Sequence, residues 1–159
     1  MKTPDLSEII WHEKLFKDLT TESLYQFLRL RAEVFIIEQD CIYQDIDNND
    51  AGATHIYATT TPEPNAPVIA YARILQPNQK YPNASIGRIV TSSSFRGLGL
   101  GKLLVEQSVS LCKKLYPNYG ITISAQKHLE EFYMNFDFQS DSEVYLEDGI
   151  PHIRMTRSK

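Results

Sequence analysis

Apolar residues fall into short blocks along the chain, and their spacing switches between strand and helix periods. Residues 9–16 alternate imperfectly and predict a first strand suited to a sheet edge. Asp18, Thr20, Thr21 and Glu22 supply caps and acids for a helix start. Leu24, Phe27, Leu28, Val34 and Phe35 then form a helical stripe over residues 22–35. Arg31 falls on that stripe, where a charge is costly unless paired, so it reads either as a snorkelling side chain or as part of a site wall. Residues 55–60 and 68–75 predict two strands, and the three prolines between them make a rigid exposed connection. Residues 76–84, with Pro77 and Pro82, form a loop of the same kind. Residues 86–91 are strand-like, and residues 102–115 are helical, with Leu104, Ser108, Leu111, Cys112 and Leu115 on one face. A buried-looking strand follows at 121–125, then a helix at 127–136 carrying Leu129, Phe132, Tyr133 and Phe136. Residues 141–146 and 153–156 predict a last hairpin around a turn at 147–151.

Strand, helix, three strands, helix, strand, helix and two strands, in that order, predict a mixed α/β sheet with one buried parallel core. At 159 residues the chain is read as one domain spanning 1–159, long enough to bury a sizeable core. Its 42% hydrophobic and 23% charged content is ordinary for a globular protein. No apolar run approaches a membrane span, and the polar start is no signal peptide, so neither a membrane nor export is expected. A net charge of −4 argues against a nucleic-acid surface and is compatible with a cationic acceptor. Cys41 and Cys112 lie far apart without metal-like partners, which fits reduced thiols in a cytoplasm and no metal site.

Two stretches invite chemistry. Residues 45–50 (Asp-Ile-Asp-Asn-Asn-Asp) suggest calcium, yet a loop counted from Asp45 has Asp50 where glycine belongs and Ile56 where the bidentate glutamate belongs. That run is read as a solvated loop, or as a negative lip drawing in a cationic substrate. The second stretch is Phe95-Arg96-Gly97-Leu98-Gly99-Leu100-Gly101-Lys102, between a strand and a helix start. Its glycines allow a tight turn and close ligand approach, and its amides sit at the positive end of the helix dipole, where an anion is favoured. A triphosphate loop would need a hydroxyl after the lysine, and Leu103 stands there. A dinucleotide fingerprint needs a different glycine spacing near a chain start.

Arg96, Gly99 and Gly101 instead fill, in register, the R/Q-x-x-G-x-G/A motif of the GCN5-related N-acetyltransferase (GNAT) superfamily, which the chain resembles element for element. Tyr133-Met134-Asn135-Phe136-Asp137-Phe138 is similar to the family's Y-x-x-x-G-F, with Asp137 in place of glycine at a left-handed helix end. Gln126 occupies the position of an asparagine that contacts the pantetheine arm. Within the superfamily the runs 31–43, 86–91, 124–129 and 147–153 resemble the ElaA-type branch.

The resemblance implies a single-domain α/β acetyltransferase fold. Its sheet is mixed and mostly antiparallel, with a central parallel strand pair and flanking helices. It also implies acetyl-CoA as co-substrate, bound by Ile89, Val90, Thr91, Arg96, Gly97, Leu98, Gly99, Leu100, Gly101, Lys102 and Gln126. Tyr133 is the expected general acid and the Val90 backbone the oxyanion donor. Many members carry a basic glutamate where Ser85 stands here, which leaves Glu38, His55, His128, Glu147, His152 or a water relay as the base. Arg31, Glu38, Arg88, Glu147 and His152 are expected around the acceptor, a small-molecule or peptide amine. A homodimer is possible. The missing carboxylate at Ser85 keeps a non-catalytic acyl-CoA-binding module as the rival reading. An amine linked to nucleic acid is disfavoured by the charge.

Overall fold

The computed structural model describes residues 6–159. Strand β1 (Ile10–Leu15) leads to helix α1 (Thr21–Arg31), whose cap at Thr20 accepts from the Ser23 amide while the Ser23 hydroxyl answers the Thr20 backbone. The helix does not continue to residue 35 as an α-helix. It widens into a π-helical segment, Ala32–Glu38, a form that recurs at functional sites. Strands β2 (Thr54–Thr59), β3 (Ala70–Leu75) and β4 (Ala84–Thr91) follow. Helix α2 (Leu100–Leu115) starts two residues earlier than the apolar spacing indicates, because Gly99 already turns the chain. Then come β5 (Ile121–Gln126), the short helix α3 (Glu130–Met134), β6 (Gln139–Ser140), β7 (Tyr145–Glu147) and β8 (Ile150–Arg157). The last turn is tighter than expected. Asp148 and Gly149, at φ 51° and 78°, make a two-residue hairpin between β7 and β8.

These strands form one sheet in the order β1-β2-β3-β4-β5-β8-β6, with β7 against β8. β1 is an edge strand, as its imperfect alternation suggested. Every pairing is antiparallel except β4 with β5. One sheet face packs on α2 and α3 through a core that includes Ile56, Ile74, Leu104, Cys112, Ile123 and Met155. The other packs on α1 and the π-helical segment through Phe27, Leu30, Val34, Tyr57 and Tyr71. Alternation along β3 divides its residues between the faces, Ala70, Ala72 and Ile74 to one and Tyr71 to the other.

Two irregularities position the site. The parallel pair is registered only at Ala84↔Ile121 and Ser85↔Thr122. Beyond those residues β4 and β5 no longer pair, and a cleft opens between them. Against β3 the register of β4 jumps, Arg73 facing Gly87 but Tyr71 facing Val90, so Arg88 and Ile89 share the place opposite Ala72. Arg88 adopts φ 52°, a left-handed conformation uncommon for a residue with a long side chain.

Candidate active site

The glycine turn lies where β4 hands over to α2. After a short 3₁₀ turn at Ser93–Phe95 the chain passes through Gly97 at φ 75° and Gly99 at φ 90°. Both conformations are ones that an L side chain rarely adopts, which explains glycine there. Buried Leu100 anchors the first helical turn. Leu103 donates to the Gly99 carbonyl, whereas among the described residues the amides of 97 to 102 find no carbonyl or side-chain acceptor in the protein. Nothing lies within 4 Å of the Cβ positions at Gly97, Gly99 or Gly101. The result is an open cradle of unpaired donors at the N-terminus of a 16-residue helix. Arg96 beside it is half-exposed and forms a forked ion pair with Glu38 while also donating to the Thr91 carbonyl. Lys102 points into solvent, and among the described residues its ion-pair partner is Glu106, at 3.8 Å.

Below the turn, a cavity of about 170 Å³ lies in the cleft between β4 and β5. Ser85, Gly87, Arg88 and Ile89 wall it on one side, and Ser124 and Gln126 on the other. Val90 is not in its lining. That side chain turns into the core beneath α1. The Gln126 side-chain amide donates to Gln39 at 3.2 Å, tying the end of β5 to the residue after the π-helical segment.

Tyr133 of α3 lines the cavity with 6% of its surface exposed. Its ring meets Phe132 and Phe138 edge-on, and among the described residues its hydroxyl has no hydrogen-bond partner. Burial raises its pKa above the ordinary tyrosine value, so the phenol keeps its proton through the physiological range. Asp137, at φ 64°, ends this helix in the left-handed conformation expected from the glycine it replaces, and Arg157 holds its carboxylate at 2.9 Å.

A further wall of the cavity comes from the β7–β8 hairpin. Its period of two puts Tyr145 and Glu147 on the same face. The Ser124 hydroxyl donates to Glu147 at 2.5 Å and lies 2.5 Å from the Tyr145 hydroxyl. Lys80 stands 3.9 Å from the same carboxylate. Burial, followed by the neighbouring Tyr145 and Glu147, pushes the Tyr81 phenol up to about 12. His152 stacks on Tyr145 and its Nδ1 lies 2.7 Å from the Ile150 carbonyl. Cys41, also in the lining, donates its thiol to the Asp148 carbonyl at 3.3 Å.

Several expected positions fall elsewhere. Arg31 does not reach the cavity. It is fully buried, and its guanidinium donates to the Asp45 carboxylate and carbonyl and to Asp50 at 2.8–2.9 Å. Neither snorkelling nor a site wall describes it. The acidic run is likewise neither a solvated loop nor a negative lip. Asp45 and Asp50 are buried, and Asp47 grips Arg73 with both oxygens. Burial pushes the Asp47 carboxyl upward, yet bonds from Arg73 and Asn49 hold it well below the usual carboxylate range. Three arginines (31, 73 and 88) meet three aspartates (45, 47 and 50), so the cluster is neutral.

Among the base candidates His55 is buried between the Tyr71 hydroxyl and the Asp50 carbonyl, with both ring nitrogens engaged. His128 is exposed and outside the lining, and Glu38 is spent on Arg96. Only Glu147 and His152 of that set face the cavity. The aspartate cluster, Ser124, Tyr145 and Gln39 were not anticipated. For Tyr145 and Ser124 the available signal was the Asp-Gly turn, which fixes the register of β7 against β8 and its neighbour β5.

Comparison with known proteins decides the lineage. The sequence model of the acetyltransferase (GNAT) domain matches residues 16–159. The chain belongs to the GNAT acetyltransferase family. ElaA of Escherichia coli is 38% identical over 94% of this chain and 96% of its own. The crystal structure of that ElaA superposes with a TM-score of 0.85 at 37% identity, covering 94% of this chain and 99% of that one. An acyl-CoA N-acyltransferase from Pseudomonas aeruginosa gives a TM-score of 0.87 at 39% identity, with coverage of 94% and 99%. As a GNAT protein the chain is an acyltransferase that draws its acyl group from an acyl-CoA, and the expected mixed, mostly antiparallel sheet with one parallel pair is the fold observed. No helix among the described residues of this GNAT domain is long and apolar enough to cross a membrane.

Proposed function

We propose that the protein is a cytoplasmic N-acetyltransferase that moves an acetyl group from acetyl-CoA to a primary amine of a small molecule or peptide by direct attack. The observation that carries this reading is the row of acceptor-free amides at 97–102 standing over a cleft lined by a buried, unpartnered phenol. The diphosphate of the co-substrate fits that cradle, with Arg96 and Lys102 as flanking cations. The unpaired edge of β4 over Ile89, Val90 and Thr91 is available to the pantetheine amides, and Gln126 closes the other side.

In the transfer the amine nitrogen forms a bond to the thioester carbonyl carbon, and the carbon–sulfur bond breaks. Negative charge on the carbonyl oxygen is met by the bulge amides of Ile89 and Val90. Glu147, which already holds the Ser124 hydroxyl, accepts the proton that the amine must lose. Tyr133 gives its phenolic proton to the departing thiolate. Its raised pKa suits it to donating that proton and then recovering one.

Because the cavity is small, the acceptor enters by an amine-bearing head, its body staying outside. The test is release of free thiol from acetyl-CoA across polyamines, amino acids, aminoglycosides and peptides with free N-termini. Amine-dependent release supports the reading. Tight binding of coenzyme A with no release across the whole panel refutes it in favour of a binding module.

A further inference from the structure

Asp45 is bonded near the cleft through both carboxylate oxygens and its carbonyl. Oδ2 accepts from Arg31 Nε at 2.9 Å, and Oδ1 accepts from Arg88 Nε at 2.7 Å and from the Tyr43 hydroxyl at 3.1 Å. Its backbone carbonyl takes a further bond from each arginine, at 2.9 and 3.1 Å. It is buried, and the Tyr43 ring underlies the Arg88 guanidinium at 5.5 Å. Arg88 sits in the β4 bulge in the left-handed conformation, one and two residues before the amides assigned above to the oxyanion. Outside glycine that backbone state is disfavoured by roughly tenfold in population. Something other than local preference therefore holds the bulge, and the contact seen is the clamp on its side chain. The clamped arginine is neutralised by Asp45 and Asp47, which lies 3.4 Å from its Nη2, so it offers no surplus charge to an anionic substrate.

We propose that Asp45, acting through Arg88, is a positioning residue that locks the β4 bulge so that its amides face the acyl carbonyl. The inference rests on the acyl-CoA reading of the cleft. It predicts an unusual order among substitutions. Arg88→Ala loses the clamp and keeps the left-handed penalty. Arg88→Gly also loses the clamp, yet glycine adopts that backbone freely. A side chain that touched substrate would instead make the two variants equally defective.

The experiment saturates wild type, Arg88→Ala, Arg88→Gly and Arg88→Lys with acetyl-CoA labelled with ¹³C at the carbonyl and reads its bound chemical shift. Coenzyme A affinity is measured in parallel by calorimetry, and far-UV circular dichroism confirms that each variant is folded. Donation to the carbonyl moves its resonance downfield. The expected result is a displaced resonance in wild type that is largely retained in Arg88→Gly, partly retained in Arg88→Lys and lost in Arg88→Ala, with coenzyme A affinity within about twofold throughout. Equal displacement in wild type and all variants overturns the clamp while sparing the cleft reading. So does equal loss in the glycine and alanine variants. A wild-type resonance at the free position, despite bound co-substrate, overturns the clamp together with the oxyanion assignment. Should Arg88→Ala not fold, Asp45→Asn combined with Arg88→Gly replaces it. Retained displacement there, against loss in Asp45→Asn alone, supports the proposal, and equal loss in both overturns it.

Discussion

Replacing Arg31 by methionine isolates the buried ion cluster from the chemistry, because Arg31 lies outside the cavity. Methionine keeps most of the aliphatic volume and removes one cation, leaving three aspartates against two arginines in a closed environment. Three charge-assisted bonds are lost, each worth about 1.5–3 kcal/mol. The variant no longer has to desolvate a guanidinium, which offsets part of that. Removing one partner of a buried pair typically costs a net 3–5 kcal/mol. A domain of this size has about 5–15 kcal/mol in all, so the loss is a large fraction of it.

The sign of the pH dependence follows from Asp50. Burial pushes its carboxyl upward, but Arg31, then Arg73, hold it below the ordinary value. A depressed carboxyl contributes stability that is present above its unfolded pKa and lost as pH falls through the folded one. Wild type therefore sheds this contribution as pH drops below about 4. The variant has less to shed. In urea unfolding followed by circular dichroism, the gap between the two proteins should be widest near neutrality and shrink in acid. A loss under about 1 kcal/mol at neutral pH, the size of an exposed pair, would refute the reasoning, as would a gap that ignores pH.

Further outcomes follow from the site. Tyr133→Phe should cut amine-dependent thiol release by about 10²- to 10⁴-fold and leave coenzyme A affinity nearly unchanged; undiminished turnover removes the phenol from the mechanism. Glu147→Gln should lower turnover on a similar scale with coenzyme A affinity nearly unchanged, an outcome that His152 as base would not give. Glu38→Gln frees Arg96 from its internal carboxylate and should tighten coenzyme A binding by at most about fivefold at low salt, the benefit fading as salt rises. Weaker binding in that variant would mean that Glu38 helps to place Arg96.

Local rules made the glycine turn legible. Whereas the left-handed Asp137 was implied by the family resemblance, positive φ at Gly97 and Gly99 and the helix start behind them are set within a few residues, so the local sequence exposes them. The aromatic stripe of the third helix placed Tyr133 in the same way. Arg31 was visible as a charge on an apolar stripe, but its partners were not. They lie 14 and 19 residues ahead, in a run whose composition reads as solvated loop. Arg73 and Arg88 come from two further strands, and only the closed sheet brings all six charges together. The π-helical segment had no signature of its own, since its apolar residues continue a helical spacing. Ser85 and Glu147 line the same cavity, although the hairpin that carries Glu147 comes more than sixty residues later. Chain order conceals such a neighbour, and a shared cleft reveals it.

The proposed activity depends on the unpaired amides of the glycine turn holding the diphosphate of the co-substrate. Calorimetric titration with coenzyme A, repeated with pantetheine and repeated on Gly99→Trp, tests it most directly. Wild type should bind coenzyme A saturably and pantetheine, which lacks the diphosphate, only weakly, and the variant, whose indole would fill the cradle, should lose coenzyme A binding. Equal affinity for coenzyme A in wild type and Gly99→Trp would contradict it.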